Sequence, residues 1–219
     1  TGLDMIRTSI AKLKVILGNY LPRMAEEGLK FGSFSILEVA EDVKRYFPGK
    51  SSNITVDFDG DYCDTLVSKW VLEALLENLY NNAFKAGAEN IRVEILKQED
   101  LILVRVHDDC EEAIPENVLA TLFKSVQAKG IGDGAGCNVA GQFLADQQSM
   151  IKPSTGHDHA DKLREDFGIP DDVTPFYQIS MHQRLGPDGR PTEKYVEMTF
   201  PLVTRMPFNA ASATEAKAA

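Results

Sequence analysis

The stretch from Val67 to Ala86 constrains the fold more than any other. Val67, Trp70, Val71, Leu75, Leu76 and Leu79 recur at helical spacing but cover more than one face. A helix with that pattern lies inside a domain, because no single surface buries all of it. Asp64 is suited to cap it, so a long helix is expected from Asp64 to about Ala86. Asn78, Asn82 and Lys85 share one face of this helix, and the two amides continue the stripe begun by Val71 and Leu75. Buried amides need partners. Either a phosphate–magnesium unit with its water supplies them, or the amides tie the helix to a neighbouring loop.

The segments around this helix set the fold class. Upstream, Ile6, Ile10, Leu13, Leu17, Tyr20 and Met24 form a heptad-like stripe, interrupted by Pro22. An amphipathic helix of this kind needs a partner to cover it: a second copy of the chain, a missing helix, or the domain that follows. Gly28 to Ser33 breaks the pattern. Ser35 and Glu38 then form a capping-box signature for a second helix, with Ile36, Val39, Val43 and Phe47 on its buried face and Pro48-Gly49 as its stop. Ile54–Phe58 alternates like a strand. Downstream, Asn90–Ile95 and Leu101–Val106 read as an antiparallel hairpin turning at Gln98-Glu99-Asp100. A short helix from Pro115 to Phe123 precedes a glycine-rich stretch and a helix over 137–150. Residues 152–175 read as a polar surface insertion, with a helix around 161–167. A second hairpin pairs 176–182 with 194–202 across Gly186-Pro-Asp-Gly189. This order predicts an α/β two-layer sandwich, with helices on one face of a mixed, mostly antiparallel sheet. The expected organisation is a dimerisation-type helix over 1–31, one domain over 32–207 and a disordered Ala-rich tail over 208–219.

Composition narrows the functional classes. The apolar share of 43% and charged share of 26% belong to a globular chain. No apolar run approaches the ~20 residues of a membrane span. Thr1 to Ile10 lacks the basic start and apolar core of a signal peptide. The first residue is Thr1 and not Met, which is compatible with a fragment, so membrane attachment, if there is any, is expected only through an upstream segment. A formal charge of −10 argues against nonspecific nucleic-acid binding, which needs clustered Lys and Arg. Cys63, Cys110 and Cys137 are odd in number and lack a CxxC, which fits reduced thiols in a cytoplasmic compartment.

Two further segments carry chemistry. Gly132-Asp-Gly134-Ala-Gly136 opens a helix, where alternate glycines admit a polyanion to the backbone and free N–H groups face it. Lys129 beside it is placed to reach a phosphate, or to sit solvated in the loop. Asp108-Asp109-Cys110-Glu111-Glu112-Ala113-Ile114-Pro115 ends a strand. A carboxylate there can accept a hydrogen bond from an adenine amino group, or serve the dipole and cap of the next helix.

Taken together, the Asn-bearing helix, the Asp-ending strand, Leu122-Phe123 and the glycine helix start resemble the GHKL (Bergerat) ATP-binding family, most closely the catalytic domain of sensor histidine kinases. Glu77 to Lys85 resembles the family's asparagine box. The resemblance implies that Asn78 and Asn82 hold magnesium and phosphate, and that Lys85 contacts phosphate. Asp109 to Pro115 resembles the first glycine box, Leu122-Phe123 the phenylalanine box, and Lys129 with Gly132, Gly134 and Gly136 a short ATP lid. The implied cofactors are ATP and magnesium. The implied partners are a response regulator and a second copy of the chain.

The sequence departs from the family at three places. Glu111 and Ala113 stand where the first box has glycines. The adenine-reading carboxylate is Asp109 if the register follows Ile114-Pro115, or Asp108 if it follows the strand. Glu111 and Glu112 would repel a triphosphate unless turned outward or bridged by a cation. Cys137 replaces a large apolar residue after the lid. The four histidines, His107, His157, His159 and His182, all lie outside the N-terminal helix, so the phosphoacceptor is expected on another segment. His157 and His159 lack further ligands at metal-site spacing. The alternative function is a signalling adaptor or phosphotransfer scaffold that keeps the fold without catalysis. An ATPase of the same fold commonly carries a catalytic Glu where this chain has Asn78.

Overall fold

The computed structural model describes residues 31–60, 63–119, 122–123, 141, 144, 165 and 177–203. Its elements are β1 (Phe31–Ser35), α1 (Ile36–Lys44), β2 (Ile54–Asp59), β3 (Asp64–Ser68), α2 (Lys69–Lys85), β4 (Ile91–Gln98), β5 (Leu101–Asp108), α3 (Glu116–Leu119), β6 (Gln178–Leu185) and β7 (Pro191–Pro201). Five strands form one sheet in the order β2-β4-β5-β7-β6, in which the β2–β4 pair is parallel and the others antiparallel. This is the expected mixed, mostly antiparallel sheet with helices against it.

Strand alternation divides the sheet into two faces. Ile91, Val93 and Ile95 of β4, Ile102, Val104 and Val106 of β5, and Met198 and Phe200 of β7 are buried in one core with α1 and α2. The opposite face is polar, with Arg105 Nε donating to Glu197 Oε2 at 2.8 Å and Tyr195 between His107, which is tilted against it, and His182, which stacks on it. Burial and the nearby Arg92 charge lower the pKa of His107, against the pull of Glu94.

The helices follow the anticipated faces. Ser35 caps α1, its hydroxyl accepting from Glu38 N at 3.3 Å, and Ile36, Val39 and Val43 are buried. The helix ends at Lys44, short of Pro48, because Tyr46 N and Phe47 N turn back to Val43 O and Lys44 O in tighter three-residue steps. Trp70, Val71, Leu75, Leu76 and Leu79 of α2 are all buried, as their spacing requires.

The start of α2 differs from expectation. Asp64 does not cap it. Asp64 to Ser68 forms β3, which pairs antiparallel with β1, and the helix begins at Lys69 after Ser68. Thr65, Leu66, Val67 and Ser68 are all buried, which requires cover on both faces of the strand. That cover includes the end of β7, where Thr65 Oγ1 donates to Pro201 O at 2.7 Å and Val203 N to Asp64 O at 2.9 Å. A continuous buried run does not distinguish strand from helix, so the β1–β3 pair was not apparent from spacing.

Several expected features lie outside the described residues: the N-terminal helix within 1–31, most of the 152–175 insertion, and the 208–219 tail. Gly141 and Leu144, from the expected helix over 137–150, are helical, as is Glu165 in the insertion. Gly141 has a packing reason, since a Cβ there would collide with the Phe123 carbonyl.

Tyr80 of α2 is fully buried edge-on to Phe47, and among the described residues its hydroxyl has no hydrogen-bond partner. Burial, with Glu41 adding to it, raises the pKa of that hydroxyl and keeps it neutral. Tyr80→Phe is therefore expected to stabilise the fold by about 1 kcal/mol, because an unsatisfied buried hydroxyl is removed and the ring kept. Tyr80→Ala should cost about 3–5 kcal/mol. Urea unfolding of the two variants beside the wild type checks both signs.

Candidate functional site

The candidate site lies at the sheet end where α2 finishes and β5 gives way to a loop. Asn78 and Asn82 are half-buried in the last two turns of α2, and Lys85 is exposed at its end. The helix closes at Ala86, whose N–H donates to Asn82 O at 3.0 Å. Cys110 Sγ, from the loop after β5, lies 3.1 Å from Ala86 O. The Asn-bearing helix and the acidic loop are thus tied together one helical turn from Asn82.

The two carboxylates left open by the motif register have different surroundings. Asp109 is exposed and serves the turn after α2. Its Oδ1 accepts from Glu89 N at 2.7 Å, and its Oδ2 accepts from Asn90 N at 3.0 Å and Asn90 Nδ2 at 2.9 Å. Partial burial pushes this carboxyl's pKa up, but the Asn90 and Glu89 donors outweigh it and hold the group below the usual carboxylate range. Asp108 shares strand parity with Ile102, Val104 and Val106, so it lies on the helix-facing side of the sheet. Its Oδ1 is 2.8 Å from Lys194 Nζ and accepts from Cys110 N at 3.1 Å.

Lys194 was not anticipated from the sequence. It shares parity with Val196, Met198 and Phe200, and it is buried at the end of this core face. A buried ammonium needs its donors satisfied. Lys194 Nζ reaches Asp108 Oδ1, Cys110 O at 3.1 Å and Glu112 O at 3.5 Å. Gln183, its cross-strand neighbour on β6, accepts from Ile114 N at 2.8 Å and donates to Ile114 O at 3.1 Å. Arg190 in the β6–β7 turn pairs with Glu111 at 3.0 Å. The signal for Lys194 was parity, because a charged residue in phase with the apolar face of a strand is set to be buried.

These contacts explain how the loop does without glycines. Among the described residues, the non-glycine residue with positive φ is Glu99, in the β4–β5 turn, so no residue from 108 to 115 needs a left-handed backbone. Side chains from β6, β7 and the turn between them hold the loop down. Glu111 points to Arg190 and Glu112 is exposed, so the loop's own acidic residues are turned outward or paired. Cys63 is buried and Cys110 half-buried, both as free thiols. No cluster of His, Cys, Asp and Glu suited to a metal occurs among the described residues. Lys129, Gly132, Gly134, Gly136, Cys137, His157 and His159 lie outside the described residues.

No protein-family model and no curated protein matches the sequence. Solved structures do match in fold. The nucleotide-free catalytic domain of the histidine kinase ThkA superposes with a TM-score of 0.58 at 17% identity, over 80% of this chain and 99% of that one. The mycobacterial sensor histidine kinase MprB gives 0.53 at 12% identity, over 82% and 100%. ThkA in complex with the response regulator TrrA gives 0.57 at 16% identity, over 91% of this chain and 50% of that one. The chain has the fold of histidine-kinase catalytic domains, as the GHKL motifs led us to expect.

Asp109→Ala should lower stability by about 1 kcal/mol, the usual scale of a lost cap. Because the folded carboxyl titrates below its unfolded value, its contribution is full above pH ~3.9 and fades as pH falls through the lower folded value. Urea unfolding at pH 7 and at pH 2–3 should show the wild-type advantage over Asp109→Ala shrinking in acid.

Proposed function

We propose that this chain is the ATP-binding catalytic domain of a two-component sensor histidine kinase, which passes the γ-phosphoryl group of ATP to a histidine on another segment. The observation that carries this reading is the junction of two motifs at one sheet end. The last turns of α2, with Asn78, Asn82 and Lys85, are fastened through Ala86 and Cys110 to the loop that begins at Asp108. The likeness in fold to the ThkA and MprB catalytic domains supports it.

Each residue has a role in this reading. Asn78 and Asn82 offer hard oxygen donors one turn apart, which suits magnesium. Asn78 and Asn82 would hold the ion, which would supply charge neutralisation to the triphosphate. Lys85 and Lys129 contact phosphate as point charges, and the backbone at Gly132, Gly134 and Gly136 closes over it. Asp108 reads the adenine amino group. It is preferred over Asp109 because it faces the helical layer, whereas Asp109 is engaged by Glu89 and Asn90. What this chain supplies is positioning and charge neutralisation, the main work in phosphoryl transfer.

His107 and His182 lie on the sheet face opposite the helices, both against Tyr195, which favours an acceptor histidine elsewhere. A response regulator is the expected downstream partner, as in the ThkA–TrrA complex. The stripe on residues 1–31 suits a homodimer contact. No helix among the described residues is long and apolar enough to cross a membrane.

Calorimetric titration with Mg-ATP and Mg-ADP tests this reading. Saturable binding is expected, weakened about tenfold or more by Asn82→Ala, the scale of a lost charge-assisted contact. No binding at millimolar nucleotide would replace it with the signalling-adaptor reading.

A further inference from the structure

Lys194 has no part in the motifs that define this fold, yet its ammonium is the buried charge nearest the proposed base-reading carboxylate. The β5–β7 register pairs Val106 with Val196 and His107 with Tyr195, so the next step sets Asp108 opposite Lys194. The ion pair is therefore built into the sheet and does not depend on a flexible approach. The Lys194 side chain is 5% exposed and that of Asp108 15%.

Two features give the pair a direction. Both contacts to the Asp108 carboxylate, from Lys194 Nζ and from Cys110 N, fall on Oδ1. Among the described residues no hydrogen bond reaches Oδ2. The three donors of Lys194 are also matched by three acceptors, namely Asp108 Oδ1, Cys110 O and Glu112 O. Among the described residues, the end of the core face thus presents a fixed carboxylate acceptor, and Lys194 keeps no spare donor.

We propose that Lys194 is a positioning residue for base recognition: it clamps Oδ1 of Asp108 so that Oδ2 accepts from the 6-amino group of adenine, and it excludes 6-oxo purines. The inference rests on the reading of Asp108 given above. A 6-amino group donates to Oδ2. A 6-oxo group sets one acceptor against another and finds no donor on Lys194, whose hydrogens are taken. Without the ammonium, Cys110 N alone holds the carboxylate, the loop carbonyls of Cys110 and Glu112 lose their donor, and Oδ2 is no longer fixed.

The test compares Mg-ADP with Mg-IDP, which differ at the 6-substituent (amino against oxo) and at N1 (an acceptor in ADP, an N–H donor in IDP), by calorimetry on the whole chain. The wild type should prefer ADP by about tenfold or more, the scale of one charge-assisted hydrogen bond. Lys194→Met should bring the ratio close to unity, and Lys194→Arg, which keeps a cation within reach of Asp108, should restore most of it. Should Lys194→Met lose its fold by circular dichroism, the same ratio is read on Lys194→Gln. A folded variant that weakens ADP and IDP equally assigns Lys194 a structural role only and overturns the inference. A wild type that binds both nucleotides alike overturns it without any variant. A wild type that binds neither removes the nucleotide reading itself, and the inference with it.

Discussion

Most of what this fold positions follows from one constraint, that α2 is buried on more than one side for much of its length. Leu72, Leu75 and Leu76 are almost wholly enclosed, and Trp70, Val71 and Leu79 nearly so. The five-stranded sheet covers one side of the helix, and α1 with Phe47 covers another. A helix held this way cannot roll or slide without opening the core, so the direction of its last turns is set by packing. Those last turns are where burial relaxes and Asn78, Asn82 and Lys85 appear. Polar groups that need accurate placement are thus mounted on a helix that packing fixes on more than one side.

The loop after β5 achieves by side chains what glycines could achieve by backbone freedom. A glycine-rich turn lets the chain bend sharply and come close to a ligand. Here the path from Asp108 to Pro115 stays within conformations open to ordinary residues. Its course is set by Lys194 beneath it, Gln183 against Ile114, Arg190 on Glu111 and Ala86 O on Cys110. Glu111 and Ala113 therefore do not mark a damaged turn. They belong to a differently supported one. Burying the Lys194 ammonium carries a desolvation cost, which is offset only when the loop brings its carbonyls and Asp108 into reach. Loop and strand end thus stabilise each other, and removal of either partner leaves the other buried and unsatisfied.

Much of this was legible in the sequence where a period was clear. The alternation in β4 and β5 and the apolar positions of α1 and α2 each carried their own face, and the faces assembled as written. The Asp64–Ser68 segment was not legible. It is buried on both sides, so it has no alternation, and a helix-capping Asp at its head gave a competing signal. Nor could motif register choose between Asp108 and Asp109, because the family's glycines, the usual rulers, are absent. Strand parity is what favours Asp108 in the proposed reading, since it falls in phase with Val104 and Val106. The same parity would have singled out Lys194 in phase with Val196 and Met198. Gln183 is likewise in phase with Ile179 and Met181 on β6, but Arg190 had no such signal. Their partners lie some seventy to eighty residues away in the chain.

The electrostatics of the site also differ from what the net charge suggests. A chain of formal charge −10 would be a poor host for a triphosphate if its acidic residues gathered at the proposed phosphate position. Four of them cluster in the run from Asp108 to Glu112. Asp109 is spent on the amides of Glu89 and Asn90, Glu111 on Arg190, and Asp108 on Lys194. Glu112 is exposed, where water screens it, and contributes its carbonyl to Lys194. The negative charge of the loop is thus consumed in holding its own shape. Among the described residues, Asp108 Oδ2 on the core side of the sheet receives no hydrogen bond, and in the proposed reading desolvation there makes one well-placed acceptor count for more than several exposed charges.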